Sequence, residues 1–183
     1  MGKQALVIVD VQVGAFDGIK IAPIDNAQQL IKNIGELLET GREFGVPIIF
    51  IQDCGKKGGA FEKGTDHWSI HPDVSPIEGE VVIQKTQSDA FEGTPLQTLL
   101  SDLAVDTVVA CGLHSEHCLT KTCLAAMEYQ FNVIVVKDGH GSSSSSAESA
   151  LTKIIRQNEL LAARGAAIRS TAELVTSWAD GHV

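Results

Sequence analysis

A carboxylate, an ammonium and a thiol recur where apolar runs of this chain give way to polar residues. Asp10 follows residues 5–9, Lys85 follows residues 81–84, and the turn 112–118, which carries Cys118, follows residues 107–111. If those runs are neighbouring strands of one parallel sheet, the three groups meet at its carboxyl edge, where open α/β sheets bind their ligands. Cys118 in the first turn of a helix, beside the Lys85 ammonium, is expected to favour its thiolate, and Asp10 is placed to take the thiol proton. Backbone N–H groups of the same turn could face a developing oxyanion, the stabilisation that acyl transfer needs. Each residue also has a plain reading: a carboxylate caps turns, a lysine is solvated, and a cysteine fills a core.

The other candidates are weaker. Cys111 ends an apolar run and Cys123 follows Cys118 within one helix, so both read as core, while Cys54 reads as an exposed thiol beside a loop. Cys111, His114, His117 and Cys118 are zinc-type ligands at unsuitable spacing, and Asp53 with His67 and His71 makes a better metal candidate, although loop histidines are commonly held by other partners. The expectation is no bound metal and no cofactor. The chain contains no G-x-G-x-x-G after its first strand, no G-x-x-x-x-G-K-[ST] and no G-x-S-x-G.

Strand-like and helix-like segments alternate along the chain, the pattern that buries a parallel sheet between helices. Strands are expected at residues 5–9, 46–52, 81–84, 107–111, 132–137 and 166–168. Helices are expected from Asn26, from Thr94 and Pro95, over 115–129, from a Ser145/Glu148 capping box to about Arg164, and from a Ser170/Glu173 box to about Ala179. The fold class is therefore a three-layer α/β/α domain over residues 1–183 with a mostly parallel, six-stranded sheet. Residues 54–76, rich in Gly and without periodicity, read as a lid or insert.

Composition narrows the partners. With 14 Lys+Arg against 23 Asp+Glu, a net charge of −9 opposes binding to phosphate backbones and anionic membranes. No stretch approaches the ~20 apolar residues of a spanning helix, and the start of the chain reads as a strand and not a signal peptide. Four cysteines without paired spacing suit a reducing compartment, so a cytoplasmic protein acting on a small molecule is expected.

The segments VIVDVQVGAF, HWSIHPDV, VVIQKTQSDAFEGTPL and VVACGLHSEHCLTKTCLAAMEYQFNVIVVKDG, in this order and spacing, resemble the isochorismatase-like cysteine hydrolases, which include nicotinamidases and N-carbamoylsarcosine amidases. The resemblance covers nearly the whole chain and implies a catalytic triad of Asp10, Lys85 and Cys118. It also implies a cis peptide between Leu113 and His114, an oxyanion hole from the N–H groups of His114 and Cys118, and a dimer or tetramer. Gln12, Phe16, Trp68 and His114 flank these motifs as candidate substrate contacts, with Gln12 also a candidate support for Asp10. Two departures matter. The Asp-x-His of metal-binding nicotinamidases is Asp53-Cys54-Gly55 here, which argues against a metal and against nicotinamide. Isochorismatases proper typically lack the cysteine, so a small amide or carbamoyl substrate is favoured. An ether or ester hydrolase with Asp10 as general acid, and a redox or binding module in which Cys118 is reactive without turnover, stay as alternatives.

Overall fold

Runs of Val, Ile and Leu with no polar alternation form strands only when both faces are covered, and the four central strands here largely meet that condition, while the two edge strands are partly exposed. The computed structural model describes residues 2–183. In chain order the elements are β1 (Lys3–Val9), α1 (Ala27–Glu43), β2 (Ile48–Asp53), β3 (Val81–Lys85), α2 (Leu96–Asp102), β4 (Val105–Leu113), α3 (Thr120–Glu128), β5 (Asn132–Gly141), α4 (Ala150–Ala163), β6 (Ala167–Arg169) and α5 (Thr171–Ala179). All strand pairs are parallel, in the order β3-β2-β1-β4-β5-β6.

Alternate residues of β1 divide the core into two. Leu6 and Ile8 pack with Leu30, Ile34 and Leu37 of α1 and with Leu174 and Trp178 of α5. Ala5, Val7 and Val9 pack with Leu96 and Leu100 of α2, Cys123 of α3 and Leu161 of α4. The result is the three-layer arrangement expected. The C-terminal helix is locked to the start of β1 by Trp178 Nε1, which donates to Gln4 Oε1 at 3.0 Å.

Some local readings change. The last helix begins with the full Ser170/Glu173 capping box. The other proposed box does not start α4: Ser145 and Glu148 bond each other in a turn, and Ser149 caps the helix by accepting from Thr152 N–H. The reason is that Ser145 and Glu148 exchange main-chain and side-chain hydrogen bonds before the helical backbone begins. Helix α2 starts at Leu96, whose N–H still meets Thr94 Oγ1 at 3.3 Å. Strand β5 runs four residues beyond the expected end, through Asp138, Gly139 and His140 to Gly141, because Gly112 and Leu113 of β4 offer it a pairing edge.

Residues 54–76 are a built segment and not a loose lid. They contain single 3₁₀ turns at Asp66–Trp68 and Pro72–Val74, and they bridge back to β1 through Gln12 and Ile70. A Cβ on Gly14 would lie 2.1 Å from the Ala60 carbonyl oxygen, which shows how closely this segment is seated.

Gly112 lets β4 pass β1 at the sheet's carboxyl edge. Its φ is +114° and a Cβ there would lie 2.1 Å from the Val9 carbonyl oxygen, one residue before Asp10. Gly35, inside α1, has nothing within 4 Å of its Cβ position. Gly112→Ala is expected to lower stability by about 3 kcal/mol or more. Gly35→Ala should raise it by about 0.5–1 kcal/mol. Urea unfolding of both variants checks this, and a wild-type midpoint for Gly112→Ala would contradict the close approach.

Candidate active site

The strand order brings the carboxyl ends of β3, β2, β1 and β4 side by side, and with them Lys85, Asp53, Asp10 and the turn after Leu113. Lys85 and Asp53 are register partners at the ends of β3 and β2. Asp10 follows β1 with φ +51°, in the left-handed region that Asp tolerates better than most residues, and this bends the chain off the strand. The peptide between Leu113 and His114 is cis.

Lys85 is the hub. From the edge strand its side chain, with no exposed surface, reaches across β2 to place Nζ 2.8 Å from Asp10 Oδ2. The same ammonium donates to the Gln87 carbonyl at 3.0 Å, to Asp53 Oδ1 at 3.4 Å and to Cys118 Sγ at 3.5 Å. An ammonium has three hydrogens and no acceptor, so it serves as a central donor to three acidic or polarisable groups. Neither Asp10 oxygen receives an aligned hydrogen bond, which leaves that buried carboxylate with acceptor capacity toward the adjacent thiol.

Burial sets the protonation states. Desolvation pushes Asp10 up to about 6, with the Lys85 charge pulling the other way. Burial would neutralise Lys85, but the charges of Asp10, Cys118 and Asp53 outweigh it and hold the ammonium protonated. Cys118 differs from the sequence expectation. Burial first, then the neighbouring Asp10 charge, push its thiol up to about 12 against the opposing pull of Lys85. The resting group is a thiol. The helix-start argument also weakens: residues Ser115–Leu119 form a wide π-type turn with non-helical backbone at His117, and α3 begins only at Thr120.

The remaining candidates separate. Gln12 is fully buried, and its amide is engaged by backbone: Nε2 donates to the Asp53 and Trp68 carbonyls at 3.0 and 2.8 Å, and Oε1 accepts from Asp53 N–H at 2.8 Å. It braces the ends of β1 and β2 against the 54–76 segment, and both of its amide hydrogens are committed, so it has no donor left for a substrate or for Asp10. Trp68 is half-buried, with an indole N–H that is enclosed and unpartnered. Phe16 meets the edge of the His71 ring at 4.8 Å and lines a cleft of about 350 Å³ with Ala27, Ile31 and His71. His114 is half-buried, and desolvation lowers its pKa.

Asp53, His67 and His71 do not converge. His67 Nδ1 pairs with Asp17, His71 Nδ1 accepts from Asp73 N–H at 3.4 Å, and Asp53 faces Lys85. Among the described residues no three His, Cys, Asp or Glu side chains gather as metal ligands. Asp53 as a second anion for Lys85 was not foreseen, although it ends its strand just as Asp10 follows β1. Cys111 and Cys123 are fully buried in the two cores, and all four cysteines are free. Burial also pushes the Cys123 thiol up to about 12, which makes it a poor partner for thiol exchange.

The isochorismatase domain model matches residues 4–173. Streptothricin hydrolase of Streptomyces noursei is 32% identical over 139 residues, 76% of this chain and 54% of that protein, so the chain spans about half the length of that relative. N-carbamoylsarcosine amidase of an Arthrobacter species is 25% identical over 132 residues, covering 62% of this chain and 50% of that one. Maleamate amidohydrolase of Pseudomonas putida is 38% identical over 77 residues, covering 42% and 36%. A crystal structure of an isochorismatase from Pseudomonas putida superposes with a TM-score of 0.87 at 26% identity, covering 93% of this chain and 89% of that one.

The electrostatics predict the effect of Asp10→Asn on the thiol. Removing a negative charge that raises the Cys118 pKa, while Lys85 stays, lowers that pKa and increases thiolate at pH 8. The thiolate of Cys118, followed by its ultraviolet absorbance against pH, should therefore appear at lower pH in the variant than in wild type. Appearance at higher pH would mean that Asp10 keeps the resting cysteine ionised.

Proposed function

The chain belongs to the isochorismatase family, and we propose that it is a cysteine hydrolase cleaving a C–N bond of a small amide or carbamoyl compound through a thioester on Cys118. The observation that carries this reading is the buried cluster in which one ammonium, Lys85 Nζ, touches both Asp10 Oδ2 at 2.8 Å and Cys118 Sγ at 3.5 Å. A thiol that must attack a carbonyl needs a base beside it, and Asp10 has both acceptor capacity and a pKa brought up to about 6, closer to the operating pH of a general base. The family relatives named as an amidase and an amidohydrolase support the substrate class.

In this mechanism Asp10 takes the Sγ proton as sulfur bonds to the carbonyl carbon, and the carbonyl π electrons move to oxygen. The oxyanion faces the N–H groups of His114 and Cys118. Its collapse breaks the C–N bond, and the departing nitrogen takes the proton from Asp10 and leaves as ammonia or an amine. Water then attacks the thioester with Asp10 again accepting a proton, the acid is released, and the proton returns to Cys118. Lys85 stabilises the Asp10 carboxylate and the developing thiolate throughout. Trp68, Phe16 and His114 are the candidate substrate contacts in this reading.

One observation favours a second reading. An aspartate raised to about 6 is partly protonated near neutral pH, as a general acid for ether or ester cleavage has to be. The two readings give opposite pH dependence. As a base, Asp10 must be ionised, so kcat/KM rises with pH through about 6; as an acid, it must be protonated, so kcat/KM falls over the same range.

The test is ammonia release from a panel of small primary amides, carbamoyl compounds and ureides, with wild type and Cys118→Ala in parallel. The expected result is turnover that rises through about pH 6 and drops at least about a thousandfold in the variant. With small esters and vinyl ethers assayed beside the amides, their turnover surviving in Cys118→Ala and falling with rising pH would establish the acid mechanism in its place.

A further inference from the structure

A second buried polar cluster lies beside the triad, and the reaction above gives it no part. Ser115, one residue after His114, is fully buried, with Oγ 2.8 Å from His140 Nδ1 and 2.9 Å from the Gly141 carbonyl oxygen. His140, also buried, meets Asn158 Oδ1 of α4 through Nε2 at 3.0 Å. The Asn158 amide nitrogen donates to the Lys137 carbonyl at 3.3 Å, and Thr120 Oγ1 donates to the Ser115 carbonyl at 2.6 Å.

The proton positions follow from these contacts. The Lys137 carbonyl needs the NH₂ of Asn158, which turns Oδ1 toward His140 and requires a hydrogen on Nε2. In the neutral imidazole Nδ1 then carries no hydrogen, and the single Ser115 hydroxyl hydrogen is shared between Nδ1 and the Gly141 carbonyl oxygen. Burial lowers the His140 pKa, against the weaker opposing charges of Asp138 and Glu116. The Ser–His–Asn order resembles a nucleophilic triad, but Ser115 has no exposed surface and its one hydroxyl hydrogen is held between His140 and Gly141, so it is no second nucleophile.

Position gives the cluster its meaning. The tail of β5 pairs His140 with Gly112 and Gly141 with Leu113, so His140 stands directly beside the segment entering the Cys118 turn. That turn is irregular, with His117 at φ −122°, ψ −105°, and a π-type span of Ser115–Leu119. Regular α-helical bonding does not fix its shape. Three apolar side chains would fill the same space without the desolvation cost of a serine, a histidine and an asparagine, whereas directional hydrogen bonds hold a single geometry.

We propose that Ser115, His140 and Asn158 form a positioning network that fixes the turn from Leu113 to Leu119, and through it the backbone N–H groups of His114 and Cys118. Its kinetic consequence rests on the amide-hydrolase reading; its structural consequence does not. The network touches no reacting atom. It anchors the turn from outside, while Lys85 anchors Cys118 from the sheet.

The experiment compares wild type, Ser115→Ala and His140→Gln by hydrogen–deuterium exchange mass spectrometry and by steady-state hydrolysis of the best amide in the panel. Exchange in peptides spanning 112–120 should rise about tenfold, with β1 and β2 unchanged, and kcat should fall by about tenfold or more while KM stays within about twofold, as small displacements of positioned groups cause. Unchanged exchange in that segment, unchanged kcat, or a rise in exchange across the whole chain overturns the proposal. Asn158→Ala, which removes only the outer partner, must show the same local pattern if the two buried variants fail to fold; a wild-type pattern there also overturns it. Should wild type hydrolyse no amide in the panel, the amide reading falls and the exchange pattern alone decides on the network.

Discussion

An ammonium with no exposed surface is tolerable only where anions and carbonyls surround it, and the site is built around satisfying Lys85. Its Nζ faces Asp10, Asp53, the Gln87 carbonyl and Cys118. Asp53 ends β2, while Asp10, Gln87 and Cys118 lie in the segments that follow β1, β3 and β4, so the ammonium also ties together the ends of β3, β2 and β1 and the turn after β4. The cluster is therefore both a candidate chemical site and a constraint on how the sheet's edge is assembled.

Desolvation controls the chemistry available there. The same burial that raises Asp10 to about 6 raises Cys118 to about 12, which separates acid from base and leaves the proton on sulfur at rest. A permanently ionised thiolate would be reactive toward any electrophile; a thiol paired with a carboxylate becomes nucleophilic as the proton moves. Lys85 makes this workable. It lowers both pKa values relative to what burial alone would give.

Backbone shape around the candidate site rests on contacts made by residues outside the Asp10, Lys85 and Cys118 cluster. Gln12 joins the ends of β1 and β2 to the 54–76 segment through three hydrogen bonds. Gly112 lets β4 approach Val9 within a distance no side chain permits. On the far side of the turn, His140 and Ser115 close the space between β5 and the irregular span before α3.

The alternation of apolar runs with helical periodicity was enough to indicate a parallel sheet between helices, because burial of both faces leaves a continuous β-branched run that few other arrangements produce. Asp10 and Lys85 were legible for the same reason: a charge ending such a run lies at the sheet's edge. Cys118 was legible as a thiol near that edge, but its ionisation was not, since thiol pKa depends on how much water the fold removes. Gln12 looked like a substrate contact because its motif position says nothing about which carbonyls it meets. His140 gave little local signal, as it lies in a glycine-rich stretch that reads as strand end, and only the pairing edge of Gly112 and Leu113 extends β5 to it. The sequence by itself determined the layers of the fold and the side chains lining one edge of its sheet; tertiary structure decided protonation and partnership, because both depend on desolvation and on distances between residues far apart in the chain.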